Sequence, residues 1–328
     1  WKGIPPAELS DGKAYEMTSC FHALAALYRV DENPRFKETV LRYYEMVRDR
    51  EIFITGCGGL KDANGEIWYN GKTRQIRHDC GGMGETCVAV SWLGFCENLL
   101  RMTGDSRVAD EMERSFYNAL LGAVTPDGTN NTHINPYLDG GWKKPAADQM
   151  TGFPGQDCCR AQGPYGLSLA PMIAVMKSEA GYAVNLYEDL TASDVLEING
   201  NFPASDTVTI TLERDGDFEL ALRIPGEFGC EVDGTPVCGG TYHRIRRIWK
   251  RGDVIRLRFD FTVRTVPCGD FSAKMCGPLV LCRESGGDPE SLPLRRIEDM
   301  VDYASAGLRF SPENTLRVWN SNYACISE

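Results

Sequence analysis

The stretch VAVSWLGFCENLLRMTGDSRVADEMERSFYNALL, residues 88–121, decides the fold. Val88, Trp92, Phe95, Cys96, Leu99 and Leu100 recur at the three-and-four spacing that lines one face of a helix. Gly104-Asp105-Ser106 then turns the chain, and Val108, Met112, Phe116, Ala119 and Leu120 continue at the same spacing. The stretch reads as an αα-hairpin.

A second hairpin precedes it. Residues 14–30, with Met17, Leu24, Leu27 and Tyr28, have helical spacing, and Asn33-Pro34 reads as an N-cap followed by proline at the first helical position. Phe36, Val40, Tyr43, Tyr44 and Val47 fall on one face of that next helix. The two hairpins align at a fixed offset, Arg29 and Arg35 matching Arg101 and Arg107. Repeated hairpins point to a toroid or a solenoid of helix pairs, and the spacing does not separate these. Residues 164–177 predict one more apolar helix.

From Tyr182 the period changes to two. Residues 183–187, 207–212, 219–224 and 254–259 read as strands, with Asp233-Gly234 as a tight hairpin turn. Short strands at this spacing predict an antiparallel β-sandwich. The expected organisation is therefore multidomain α + β, with helix hairpins over 1–180, a sandwich over 181–286, and a further β or irregular segment over 287–328.

A hydrophobic content of 42% is that of a globular protein, and every long apolar run is broken by charge, Gly or Pro, so no helix spanning a membrane is expected. The net charge of -11 argues against a nucleic-acid partner. Thirteen cysteines, an odd number without regular spacing, do not form a disulfide framework and favour a reducing compartment. The chain opens at Trp1 without an initiator Met, so targeting is not read from it.

Chemistry-bearing residues gather between the predicted helices. Glu85 and Cys87 stand two apart behind Gly81, Gly82 and Gly84, ahead of the apolar run. On a helix they would diverge by roughly 200°, whereas in extended chain they share a side, so both face a common ligand only where loop becomes helix. The adjacent Cys158-Cys159 stands before Gly163-Pro164. Together they make four ligands for a borderline cation such as zinc, or four ordinary buried side chains. Two long loops flank them. One carries Glu66, Trp68 and Tyr69, and the other carries His133 and Trp142.

These motifs, in order, resemble glycoside hydrolase family 127, the β-L-arabinofuranosidase-like proteins. The likeness runs through Gly65-Glu66, Glu85-Thr86-Cys87, Met112-Glu113-Arg114, Asn135-Pro136, Cys158-Cys159, Val184-Asn185-Leu186-Tyr187, Leu222-Arg223-Ile224-Pro225, Trp249-Lys250 and Gly277-Pro278-Leu279-Val280. It implies an (α/α)6 barrel followed by β-sandwich domains, of which this chain holds the C-terminal part of the barrel plus the sandwich. It also implies Zn2+ on Glu85, Cys87, Cys158 and Cys159, with Cys158 as nucleophile and Glu66 as general acid/base. Lys13 stands where characterised members carry a sugar-contacting His, and Arg160-Ala161 follows the cysteine pair in place of two prolines.

That chemistry is retaining hydrolysis of a terminal furanoside, with a plant-type, arabinose-containing glycan as partner. A metal-held thiolate replaces the usual carboxylate nucleophile. Glu66 then needs a pKa raised toward neutrality, for which burial against Trp68 or Tyr69 is expected. His78 and His133 are candidates to contact sugar hydroxyls, and Trp68 to stack on a ring or to fill the core. A zinc-stabilised, non-catalytic carbohydrate-binding fragment is the rival reading. An unsaturated-uronide hydrolase or lyase on the same toroid is a third, and it would not need the cysteines.

Overall fold

The computed structural model describes residues 3–62, 65–71, 83–124, 131, 133–136, 158–268, 271–281, 283–285, 322–324 and 326–327. Helices α1 (Ala14–Asp31) and α2 (Pro34–Arg50) form the first hairpin. Asn33 accepts from the Arg35 N–H at 3.1 Å, and Pro34 opens α2 as expected. Helices α3 (Thr86–Thr103) and α4 (Ser106–Ser115) form the second, with Asp105 as N-cap. The chain runs on from α4 through a wide π-helical turn, Phe116–Leu120.

Helix α3 is buried from Thr86 to Leu100 on every side, not on the single face its spacing predicted. The reason is its position, since α1, α4 and α5 (Cys158–Ile173) all pack around it. Trp92 and Phe95 are fully buried there against Tyr43 and Tyr44 of α2. Each such ring contributes about 1.5–3 kcal/mol by leaving water.

The last helix differs from expectation at both ends. It begins at Cys158 and takes Pro164 and Pro171 into its interior, and it stops at Ile173. Proline looked like a first-turn residue, but the Tyr15 hydroxyl accepts from Gln162 at 3.0 Å and Asn131 donates to the Cys159 carbonyl at 2.8 Å. These contacts hold residues 158–163 helical ahead of the proline. Val175–Lys177 is a strand instead, because it pairs antiparallel with Gly181–Val184.

Four short strands lie among the helices: β1 (Leu60–Asp62), β2 (Gly65–Ile67), β3 (Met83–Glu85) and β4 (Ile134–Pro136). The sandwich comprises β5 (Val175–Lys177), β6 (Gly181–Val184), β7 (Leu190–Ala192), β8 (Leu196–Asn199), β9 (Thr207–Leu212), β10 (Gly216–Ile224), β11 (Cys230–Val232), β12 (Thr235–Val237), β13 (Thr241–Trp249) and β14 (Val254–Phe259). One sheet has the order β13-β10-β6-β5 and the other β12-β11-β14-β9-β8-β7. All pairs are antiparallel except β6 with β10, which run parallel. Asp233 and Gly234, at φ 49° and 77°, make the two-residue turn between β11 and β12. Val184, Leu220, Leu222 and Trp249 of one sheet meet Ile198, Val208, Ile210, Leu257 and Phe259 of the other.

Polar contacts join the helices to the sheets. Ser106 donates to the Gly240 carbonyl at 2.8 Å, and Tyr117 donates to Glu188 at 2.6 Å. Asn118 donates to the Pro278 carbonyl and accepts from the Val280 N–H, completing both halves of its amide. Among the described residues no helix is long and apolar enough to cross a membrane.

Candidate active site and metal centre

The site assembles where loop becomes helix. Glu85 ends β3 with extended backbone, φ −92° and ψ 135°, and is the N-cap residue of α3. Its main chain is gripped on both sides: its N–H donates to the Gly58 carbonyl at 3.2 Å, and the Cys57 thiol donates to its carbonyl at 3.1 Å. Cys87 follows in the first helical turn, so the two side chains converge as their spacing required. Strand β4 pairs with β3, Glu85 opposite Ile134, and the Thr86 N–H donates to the His133 carbonyl at 2.9 Å. The loop carrying His133 is thereby fixed beside Glu85.

The cysteine pair arrives on the first turn of α5. Asn131 reaches the Cys159 carbonyl only because residue 163 is glycine, where a Cβ would sit 2.4 Å from the Asn131 Oδ1. Glu85, Cys87, Cys158 and Cys159 each offer one ligand atom, all within 4.8 Å of one another. The Cys87 and Cys159 sulfurs are 3.0 Å apart, Cys159 and Cys158 4.0 Å, and Cys159 Sγ lies 3.8 Å from Glu85 Oε1. Cys87, Cys159 and Glu85 are buried, and Cys158 is exposed.

This donor set fits a thiophilic divalent cation. Three sulfurs and one carboxylate oxygen are the ligands zinc takes at structural and catalytic sites. The 3.0 Å between Cys87 and Cys159 is far longer than a disulfide's roughly 2.05 Å. It is shorter than the about 3.8 Å two sulfurs adopt around tetrahedral zinc, a gap that a small side-chain rotation covers. Electrostatics agree, because burial and the neighbouring Glu66 charge push the Glu85 carboxyl up to about 8. A carboxyl so placed gains from a cation. Within the cluster the neighbouring Cys159 and Cys87 sulfurs and the facing His133 pull the Cys158 thiol down, while Cys87 is pushed up.

Glu66 sits on β2 beside the cluster. The start of α1 is stapled to this strand by the Lys13–Ile67 bridge and by the Trp68 N–H donating to the Gly12 carbonyl at 2.9 Å. That pairing puts Lys13 Nζ 3.1 Å from Glu66 Oε2. His133 Nε2 lies 3.5 Å from Glu66 Oε1 and 3.8 Å from Glu85 Oε1.

The raised pKa expected for Glu66 is not what the fold produces. His133 and Lys13 outweigh burial and hold its carboxyl down to about 2. Trp68 does not supply the expected wall either. Its indole is buried in the helical core and donates to Tyr43 at 3.2 Å, which is the core alternative and leaves no face for a sugar. His78 and Trp142 lie outside the described residues. Tyr15, packed on Cys87 and Cys159, and Asn131, Gln162 and Cys57 belong to the site without having been singled out. Only the glycine at 163 hinted at them.

A helical domain joined to a β-sandwich is the fold this chain shares with solved structures of glycoside hydrolase family 127. The GH127 beta-L-arabinofuranosidase catalytic domain matches residues 11–167, and the middle domain of the same family matches residues 182–261. The chain belongs to glycoside hydrolase family 127. It is 22% identical to a non-reducing end beta-L-arabinofuranosidase of Bifidobacterium longum, over 93% of this chain and 51% of that protein. Its fold matches a GH127 beta-L-arabinofuranosidase from Geobacillus stearothermophilus at a TM-score of 0.67 and 24% identity, covering 83% of this chain and 47% of that one. A second solved GH127 beta-arabinofuranosidase gives 0.71 at 23% identity, covering 83% and 48%. The chain thus spans about half the length of these relatives.

Proposed function

We propose that the protein is a retaining glycoside hydrolase acting on terminal furanosides, β-L-arabinofuranosides or a related plant-glycan sugar, with its helix hairpins forming part of an (α/α)6 toroid. The observation that carries this reading is the asymmetry of the cluster, three buried donors around one exposed thiol, Cys158, with a second carboxylate, Glu66, beside it. A purely structural metal site needs neither an exposed ligand nor an extra carboxylate.

Glu85, Cys87, Cys158 and Cys159 would hold Zn2+, which when bound keeps the thiols deprotonated at neutral pH. In the first step the Cys158 sulfur attacks the anomeric carbon, the bond to the leaving oxygen breaks, and that oxygen takes a proton through Glu66. In the second, the Glu66 carboxylate removes a proton from water, whose oxygen displaces the sulfur and restores the original configuration. Glu66 rests as the carboxylate, so it takes up a proton before it can act as the acid in the first step. Lys13 stands at the mouth of the site with its side chain 31% exposed, placed to meet the sugar as well as Glu66.

Intermediate trapping tests the reading. With an aryl β-L-arabinofuranoside, whose leaving group needs little acid assistance, Glu66→Gln protein should accumulate a sugar adduct on Cys158 detectable by mass spectrometry. Cys158→Ala protein should form neither adduct nor product. Full activity of Cys158→Ala would remove the thiolate mechanism, and an adduct on a carboxylate would return the enzyme to the two-carboxylate class. A protein that binds arabinose-containing glycans yet forms no adduct would be the non-catalytic alternative.

A further inference from the structure

We infer that His133 is a positioning residue, which sets Glu66 against the cysteine cluster by bridging it to Glu85, and is not a contact for sugar hydroxyls. The inference rests on the reading of Glu66 as acid/base. It is carried by how completely the fold fixes this one side chain.

The His133 main chain is tied to both halves of the cluster. Its carbonyl accepts from the Thr86 N–H at 2.9 Å and faces the Cys159 thiol at 3.8 Å, and the next residue opens the strand paired with Glu85. The imidazole is 15% exposed and its Nε2 faces two carboxylates, Glu66 at 3.5 Å and Glu85 at 3.8 Å. Glu66, Glu85 and His133 keep one donor atom each within 4.8 Å of the others. Two carboxylates so close repel unless something of opposite polarity lies between them. Lys13 takes only the far oxygen of Glu66, at 3.1 Å, and is itself partly exposed. With the imidazole gone, Glu66 would follow Lys13 outward, away from Glu85 and the sulfurs. The grip on both oxygens of Glu66 is what keeps it aimed.

A residue that aims the acid/base affects only the substrates that need the acid. In the zinc-loaded full chain, His133→Phe keeps the ring volume and removes the nitrogens, and His133→Gln returns one N–H near the position of Nε2. For an alkyl β-L-arabinofuranoside, kcat/KM of His133→Phe should fall on the order of 100-fold, the scale of lost general-acid assistance. For the p-nitrophenyl glycoside it should fall less than about 3-fold, as protonation of that leaving group contributes little. His133→Gln should recover most of the alkyl rate. Equal losses on both substrates, or a rise in KM alone, would overturn the inference in favour of a structural or sugar-contact role.

Glu66→Gln measured alongside separates the two levels. If it shows no leaving-group dependence, the assignment of Glu66 has failed and the inference falls with it. If it does and His133→Phe does not, only the inference fails. A readout free of turnover is available because the chain has four histidines. In protein labelled with 15N-histidine, the His133 Nε2 resonance should move in Glu66→Gln, and an unmoved resonance overturns the bridge.

Discussion

The guanidinium of Arg223, on the central strand β10, lies 2.5 Å from the Asp110 carboxylate on helix α4 and is completely excluded from solvent. Glu113, one helical turn on, takes its other nitrogen, and Arg223 Nε donates to the Asn185 carbonyl at 2.5 Å. A charge this deep is tolerated only when paired and hydrogen-bonded, and each of the three Arg223 nitrogens has a partner. The pair joins the helices to the sandwich.

Removing that cation is expected to cost about 3–5 kcal/mol, because Arg223→Met leaves two buried carboxyls without a partner. Burial already pushes Glu113 up to about 7 and Asp110 above its usual range. In the variant these groups bind protons more readily folded than unfolded, so its stability should rise as pH falls from 8 to 5. Urea unfolding at the two pH values checks both claims. A penalty under about 1 kcal/mol would show that water reaches the pair.

Metal content is the second expectation. Purified protein should carry about one zinc per chain, and Cys87→Ser and Cys159→Ser should each lose most of it, since both sulfurs are buried in the cluster. Chelation should lower the melting temperature, as a ligand that binds only the folded state stabilises it by mass action. Full zinc retention in both variants would place the metal elsewhere.

The Glu66 carboxylate, held low by His133 and by Lys13, sets an acid dependence. Glu66 is held down to about 2 when folded, against an ordinary value of 4.5, so its contribution is complete above pH 4.5 and is lost as pH falls toward 2. Lys13→Met should destabilise metal-free protein by about 1 kcal/mol at pH 7, the scale of a partly exposed pair. The difference between wild type and variant should shrink to nothing near pH 2. A constant difference across that window would mean that Lys13 acts by packing its stem.

Gly56 tests how the loop before β1 holds the site. It has φ +78°, and a Cβ there would stand 2.4 Å from the Ser115 Cα, where Ser115 donates to the Gly56 carbonyl at 2.6 Å. Gly56→Ala should cost about 2 kcal/mol or more from overpacking and a left-handed backbone. It should also weaken zinc binding in a chelator competition, because the next residues, Cys57 and Gly58, grip the Glu85 backbone. Destabilisation with unchanged zinc affinity would show that Glu85 does not depend on this loop.

The hairpins, the sandwich strands and the Glu85/Cys87 and Cys158/Cys159 pairs were legible in the chain because each is a local pattern. Apolar spacing, an Asn-Pro cap and an Asp-Gly turn act on neighbours within a few residues. The convergence of Glu85 and Cys87 was readable too, since two residues apart they share a side only in extended chain, and Glu85 is extended.

Whatever depends on residues distant in sequence was decided by the tertiary structure. Residues 158–163 are helical ahead of Pro164, where Tyr15 and Asn131, from other parts of the fold, hold Gln162 and Cys159. Trp68 went to the core because Tyr43 offered its hydroxyl there. Glu66 is held as a carboxylate, against the expectation of a raised pKa, because the fold brings Lys13 and His133 to its two oxygens. The sequence named Glu66, Glu85 and the cysteines as candidates, and the packing alone determined their charge. A pKa answers to desolvation and to charges within a few ångströms, and neither is set by proximity along the chain.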